Sequence, residues 1–226
     1  MSIIGSQRRE NNTMNTSSRD QPSRPERLQR SSFGPLLRTM VSFCSWPRWR
    51  LTGSPPPAPP HVKRSALAEY TERFPTDTFV ETGTYRGDTL ARMRPHFKRS
   101  ISIELDKTLA AQAQKRFLRY SDVEVFQGDS AEELGKVVAT LVGPAMFFLD
   151  GHYSGGVTAD SGSAPIVKEL NAILSSHHDH VVLVDDARLI NGTNGYPTME
   201  QVLECVKSLR PDMRHEVKDD IVRIHR

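Results

Sequence analysis

From Ser65 onward, short apolar runs alternate with stretches of helical periodicity, and this alternation limits the chain to few folds. Ala66, Tyr70 and Phe74 recur every four residues and predict a first helix. Thr78-Phe79-Val80 reads as a short buried strand. Asp88 to Met93 begins a helix that Pro95 stops. Ile101-Ser102-Ile103 reads as a strand, followed by a helix with Leu109, Ala113 and Phe117 on one face. Val123 to Phe126 is a strand; Leu134, Val137, Val138 and Leu141 then mark a helix. Met146 to Leu149 and Val181 to Val184 are wholly apolar strands. Between them Ser163 can cap a helix with Pro165 in its first turn and Ile166, Leu170, Ile173 and Leu174 inward. Thr198 and Gln201 form a capping box for a helix burying Val202, Cys205, Val206 and Leu209. His215-Glu216-Val217, the turn Asp219-Asp220 and Ile221 to Ile224 read as a β-hairpin.

Strands that alternate with helices need right-handed crossovers and a parallel sheet covered on both faces. The expectation is therefore a doubly wound α/β domain, a mostly parallel seven-stranded sheet ending in an antiparallel hairpin. Ligands bind outside the carboxyl ends of such strands. Glu81, Glu104, Asp129, Asp150, Asp185 and Asp186 all stand at or just past a strand end. An acidic rim of that kind suits a cationic ligand, a metal ion or sugar hydroxyls.

Charge and proline divide the chain. Residues 1–64 hold 11 Lys and Arg against 3 Asp and Glu, a net of +8, and 9 of the 15 prolines; residues 65–226 hold 19 against 24, a net of −5. The first part is expected to be a disordered tail ending in a stiff proline linker, the second one domain. Within the tail, residues 33–51 carry both tryptophans and three arginines. This segment can lie on an anionic membrane surface, with Trp46 and Trp49 at headgroup level, or belong to an organelle-targeting leader. A plain unstructured extension is the simplest reading. No apolar run is long enough to span a membrane. Two cysteines, Cys44 and Cys205, cannot build a disulfide framework, so the expected compartment is reducing, the cytoplasm. The acidic domain weighs against a nucleic-acid partner, whose phosphates it would repel.

After the first strand comes Glu81-Thr82-Gly83-Thr84-Tyr85-Arg86-Gly87-Asp88-Thr89. Two glycines at a strand-to-helix turn let backbone approach a ligand closely. Glu104, 23 residues past Glu81, can accept hydrogen bonds from both ribose hydroxyls of an adenosine-containing cofactor. Gly128-Asp129-Ser130, after the third strand, can hold the adenine amino group.

The segments ETGTYRGDT, SIELD, FQGDS, FFLDGHYSGG and VVLVDDAR, in this order, resemble a class I S-adenosylmethionine-dependent methyltransferase over about Ser65 to Arg226. The resemblance implies that Gly83 and Gly87 line the methionine end of the cofactor, Glu104 the ribose and Asp129 the adenine. Glu81, Thr84, Tyr85, Thr89, Ser130 and Asp150 are the further candidate cofactor contacts. Tyr85 stands where the usual three-glycine loop has its middle glycine, which weighs against a pyrophosphate cradle and permits a cofactor without phosphate.

Asp150, Asp185 and Asp186, on two strands expected to be neighbours, can converge as hard oxygen ligands for Mg²⁺ or Mn²⁺. Their placement resembles metal-dependent small-molecule O-methyltransferases, including those acting on macrolide sugars. His152 follows Asp150 by two residues and is the candidate base. A second reading leaves Asp150 to the cofactor or a loop, and Asp185-Asp186 to a turn. Residues 151–163 are glycine-rich and read as a lid over a small-molecule acceptor, as does the loop 191–195. His177, His178 and His180 precede the fifth strand, at the far edge from the ligands, and read as a solvated loop. The leading function is methyl transfer to a hydroxyl oxygen; the competing one is a binding module without catalysis.

Overall fold

The computed structural model describes Trp49, Leu51, Gly53 and residues 55–151 and 165–226. These belong to the second of two compact units, Thr39–Arg226. In chain order the elements are α1 (Pro60–Arg73), β1 (Thr78–Thr82), α2 (Asp88–Met93), β2 (Arg99–Glu104), α3 (Lys107–Phe117), β3 (Val123–Gln127) and α4 (Ser130–Ala139). There follow β4 (Ala145–Leu149), α5 (Ile166–Leu174), β5 (Val181–Val184), α6 (Met199–Leu209), β6 (Arg214–Lys218) and β7 (Ile221–His225).

Among the described residues the strands form one seven-stranded sheet in the order β3-β2-β1-β4-β5-β7-β6. The first five run parallel; β7 runs antiparallel to both β5 and β6. The α/β expectation and its terminal hairpin hold. Asp219 and Asp220, at φ 56° and 64°, supply the two left-handed residues that a tight hairpin turn of this hand requires.

Side chains alternate faces along each central strand. Phe147, Leu149, Val182 and Val184 pack against α4, α5 and α6 through Leu134, Ile166, Leu170, Ile173, Val202 and Val206. Met146, Phe148, Val181 and Leu183 face the other way, in a cluster with Leu67 and Tyr70 of α1, Leu90 of α2 and Phe117 of α3. Both faces of β4 and β5 are thus buried, which is why these strands are apolar throughout. Each such side chain contributes roughly 1.5–3 kcal/mol.

The helix α1 begins at Pro60, inside the segment expected to be a linker. A proline fits the first helical turn, where its missing N–H has no partner to lose. Val62 is buried there, and so is Trp49, 8% exposed, in one cluster with Ala58; the indole N–H donates to the Pro55 carbonyl at 2.6 Å. Trp49 is therefore taken up by protein packing. Trp46 and the rest of residues 33–48 lie outside the described residues. Among those described, no helix is long and apolar enough to cross a membrane. At its other end α1 is tied to the hairpin. Tyr70 Oη donates to Glu216 at 3.0 Å, and the fully buried Arg223 pairs with Asp219 at 3.1 Å beneath the Tyr70 ring.

The capping box at Thr198 and Gln201 forms as expected, while Ser163 lies outside the described residues and α5 starts directly after Pro165. His180 departs from the solvated-loop reading. Its ring is 1% exposed, Nδ1 accepts from the Ala145 N–H at 3.0 Å, and Phe147 meets it edge-on. Its imidazole finishes the entry to β4, with burial and the neighbouring His178 and Arg210 pushing its pKa down to about 4.

Candidate functional site

The strand register brings the candidate residues to one edge. Thr82 pairs with Ile103 on one side and Leu149 on the other, Glu104 with Gln127, and Leu149 with Val184. Strand order reverses between β1 and β4, so a crevice opens where the β1 and β4 loops part. At this point Gly83, φ 82°, carries the chain against β4: a Cβ there would stand 2.8 Å from the Asp150 carbonyl oxygen and from Gly151 Cα. Thr82 Oγ1 is buried beside Gly151 with no hydrogen-bond partner among the described residues.

Glu104 closes β2 and is 6% exposed. Its Oε2 accepts from the Tyr85 N–H at 2.7 Å and its Oε1 from the Asp106 N–H at 3.0 Å. Two backbone donors fix the carboxylate, and each oxygen keeps a lone pair for a further donor. The glycine loop and the acid expected 23 residues after Glu81 are thus one assembly. Gly87, φ 71°, also sits close against protein. A Cβ there would strike the Phe117 ring at 2.6 Å, so this glycine lets the loop pack on α3. Thr89 lies in the first turn of α2, and Tyr85, φ 48°, is largely exposed.

Behind the loop, Thr84 Oγ1 and Ser102 Oγ lie 2.5 Å apart, and Ser102 Oγ donates to Glu81 Oε1 at 2.8 Å. Glu81 is almost wholly buried. Burial pushes its pKa up to about 8, Glu104's charge adds to this, and the Ser102 bond and Arg116 partly offset it. Glu81 therefore belongs to the floor of the site. Asp129 caps α4, its Oδ1 accepting from the Ala131 N–H at 2.9 Å, with Ser130 as the first helical residue.

Asp150, Asp185 and Asp186 do come together, with a lysine among them. Lys63, from α1, reaches both members of the β5 pair: its Nζ donates to Asp185 Oδ2, and to Asp186 Oδ1 at 2.8 Å. The other Asp185 oxygen accepts from the Asp186 N–H at 2.8 Å. Arg188 shares Asp186 Oδ1 at 2.9 Å and also pairs with Asp220. Among the described residues no group of three His, Cys, Asp or Glu side chains is arranged to hold a metal ion. Asp150 hydrogen-bonds Asp185; crowding by protein atoms and the Asp185 charge push its carboxyl up, with Lys63 opposing. Asp150 is exposed at its surface, so water screens part of that repulsion. Asp185 is fully buried, and burial raises its pKa against the pull of Lys63. Asp186 is pulled down: burial works against its charge, but the Lys63 and Arg188 bonds outweigh it.

Lys63, which pairs with this cluster, is the residue that sequence reasoning missed. It stands in His61-Val62-Lys63-Arg64, at the end of the segment expected to be tail and linker. The signal was present: Val62 extends the Ala66, Tyr70, Phe74 repeat by one step and takes the helix back past Lys63. His152 and the lid residues 152–163 lie outside the described residues.

No protein-family model matches the chain. It is similar in structure to the O-methyltransferase from Bacillus cereus in complex with S-adenosylhomocysteine, at a TM-score of 0.53 and 14% identity, over 84% of this chain and 90% of that one. It is similar also to the O-methyltransferase TomG from Streptomyces achromogenes in complex with S-adenosylmethionine, at a TM-score of 0.50 and 16% identity, over 89% and 98%. In sequence, 68 residues are 40% identical to ribosomal RNA small subunit methyltransferase A of Koribacter versatilis; they make up 30% of this chain and 24% of that protein. With the strand order and the hairpin, these likenesses show that the chain shares its fold with these methyltransferases.

Proposed function

We propose that this chain transfers a methyl group from S-adenosylmethionine to a hydroxyl oxygen of a small-molecule acceptor. The observation that carries the reading is Glu104, fixed by two backbone N–H groups at the carboxyl end of β2 beside the strand-order reversal. Its remaining lone pairs suit the two ribose hydroxyls. Gly83 lets the loop after β1 lie close against the chain after β4, and Thr82 Oγ1 is a buried hydroxyl that a polar ligand atom would complete. Asp129 and Ser130 are assigned to the adenine end.

When bound, S-adenosylmethionine supplies a methyl group on a sulfonium, the leaving thioether carrying off no charge. The chain has to align the acceptor oxygen with that methyl group and remove its proton. We assign the proton to His152, with Asp150 beside it, and the lid 151–163 to the exclusion of water. The expected Mg²⁺ or Mn²⁺ does not fit the cluster as Lys63 holds it, and no step is routed through a metal. The assigned compartment is the cytoplasm.

One observation favours the binding-module reading: Lys63 and Arg188 already neutralise part of the acidic cluster, as in a structural ion-pair network. The likeness to an RNA-modifying enzyme keeps RNA among the acceptors to be tried, against the net charge of −5 in residues 65–226. The test is calorimetry with S-adenosylmethionine, then methyl transfer over a panel of hydroxylated compounds and ribosomal RNA. Cofactor binding with turnover on a hydroxyl compound supports the proposal. Binding without turnover on any acceptor favours the module, and turnover on RNA alone overturns the acceptor class.

A further inference from the structure

We infer that the Lys63 ammonium occupies, at the Asp150–Asp185–Asp186 cluster, the position a divalent cation would otherwise fill, and that the site works without one. The inference rests on the methyltransferase reading for the words "works", and on geometry alone for the rest.

Three of the four carboxylate oxygens that follow β5 already have a donor. Asp185 Oδ2 faces Lys63 Nζ, Asp185 Oδ1 holds the Asp186 N–H at 2.8 Å, and Asp186 Oδ1 is shared by Lys63 at 2.8 Å and Arg188 at 2.9 Å. An incoming divalent ion would meet two fixed positive charges, the Lys63 ammonium and the Arg188 guanidinium, and be repelled by both. Asp185 is fully buried, so it needs a counter-charge in place at all times. Lys63 is not a wandering surface lysine. Its neighbours on α1, Val62, Ala66, Leu67 and Tyr70, are buried, and Trp49 packs in the same cluster as Val62. The helix therefore delivers the ammonium to the cluster as part of the fold.

An ammonium carries one charge and three donors, and offers no open coordination position. Together with Arg188 it offsets the two carboxylates that follow β5, and it orients them without binding an acceptor hydroxyl as a Lewis acid would. Lys63 is thus a positioning residue, acting through Asp185 and Asp186, and the acceptor proton must go to a side chain.

The test is Mn²⁺ binding to the full-length protein, followed by electron paramagnetic resonance, in wild type, Lys63→Met and Lys63→Arg. Wild type and Lys63→Arg should show no saturable Mn²⁺ site at millimolar ion. Lys63→Met, which keeps the aliphatic stem, should bind Mn²⁺ at least tenfold more tightly than wild type, and adding Asp185→Asn should remove that gain. A stoichiometric wild-type site abolished by Asp185→Asn overturns the inference, as does a folded Lys63→Met variant that gains nothing. If circular dichroism finds Lys63→Met unfolded, the wild-type and Lys63→Arg titrations decide. S-adenosylmethionine calorimetry on the same samples keeps the two proposals apart. Absence of cofactor binding in wild type sinks the methyltransferase reading and leaves the Mn²⁺ result standing. Turnover that is complete in chelator supports both.

Discussion

Tyr85, held in the left-handed region at φ 48°, donates its backbone N–H to Glu104 Oε2 across 2.7 Å, so the loop after β1 is fastened to the end of β2. The residue that replaces the middle glycine of the loop thus contributes through its backbone, and its ring is left in solvent. The proposed cofactor recognition and the loop geometry meet at one carboxylate.

Glu104→Ala should weaken S-adenosylmethionine binding by at least tenfold. Hydrogen bonds to a charged acceptor are worth about 1.5–3 kcal/mol each, and about 1.4 kcal/mol is a factor of ten. The variant also frees the Tyr85 and Asp106 N–H groups, so loop amides should exchange faster with deuterium. Unchanged affinity by calorimetry would mean that the cofactor lies elsewhere.

Two glycines make opposite predictions under the same substitution. Gly83→Ala places a methyl group 2.8 Å from the Asp150 carbonyl at φ 82°, and should cost about 1–3 kcal/mol of stability together with cofactor affinity. Gly135→Ala, in the exposed face of α4 with nothing near its missing side chain, should stabilise by about 0.5–1 kcal/mol. Urea unfolding midpoints check both. Equal effects would show that the close approach of β1 and β4 is not tight.

Truncation should separate the linker reading from the observed packing. Trp49, Ala58 and Val62 form one buried cluster on the helix that carries Lys63. A chain starting at Thr39 should keep the thermal midpoint of the full protein, whereas one starting at His61 loses Trp49 and should melt several degrees lower. A midpoint unchanged at His61 would show that the cluster adds nothing.

Much of this fold could be read from residues alone, for identifiable reasons. Strands such as Met146–Leu149 are apolar because both faces are covered, and the Thr198–Gln201 box is a local device with a local signature. Glu104 was legible because its position depends only on where β2 ends. Lys63 and His180 were not, since each acts on a residue far away in sequence: Asp185 lies 122 positions from Lys63, and Ala145 lies 35 from His180. A lysine beside a proline run and a histidine among histidines carry surface-like signals. Only the packing of α1 and the entry to β4 turn them inward. The same limit applies to the packing of Gly87 on Phe117, which nothing local in the loop announces.

His180 should make the protein acid-sensitive. Its folded pKa, about 4, lies below the ordinary value of 6.5, so between those values the unfolded chain binds the extra proton. Stability is present above about pH 6.5 and is lost as pH falls through about 4. The loss is on the order of 3 kcal/mol at about 1.4 kcal/mol per unit. His180→Gln, which keeps an acceptor within reach of the Ala145 N–H, should flatten this slope in denaturant titrations between pH 7 and 4. A variant as acid-sensitive as wild type would assign the loss to other groups.

Glu81 should act in the opposite direction. Burial holds its folded pKa near 8 against an ordinary 4.5, so within that interval the folded chain keeps a proton that the unfolded chain has released. The stability it contributes is full below about pH 4.5 and disappears as pH rises through about 8. Glu81→Gln keeps the size of the side chain and an oxygen to accept from Ser102, and it removes the ionisable group. The variant should therefore gain on wild type steadily from pH 5 to pH 9 in urea midpoints. Because Glu81 lies behind the loop that Glu104 fastens, its ionisation should also loosen cofactor binding in the same range. Calorimetry at pH 6 and pH 9 should find wild-type affinity falling and the variant's holding; parallel curves for the two proteins would place Glu81 outside the site.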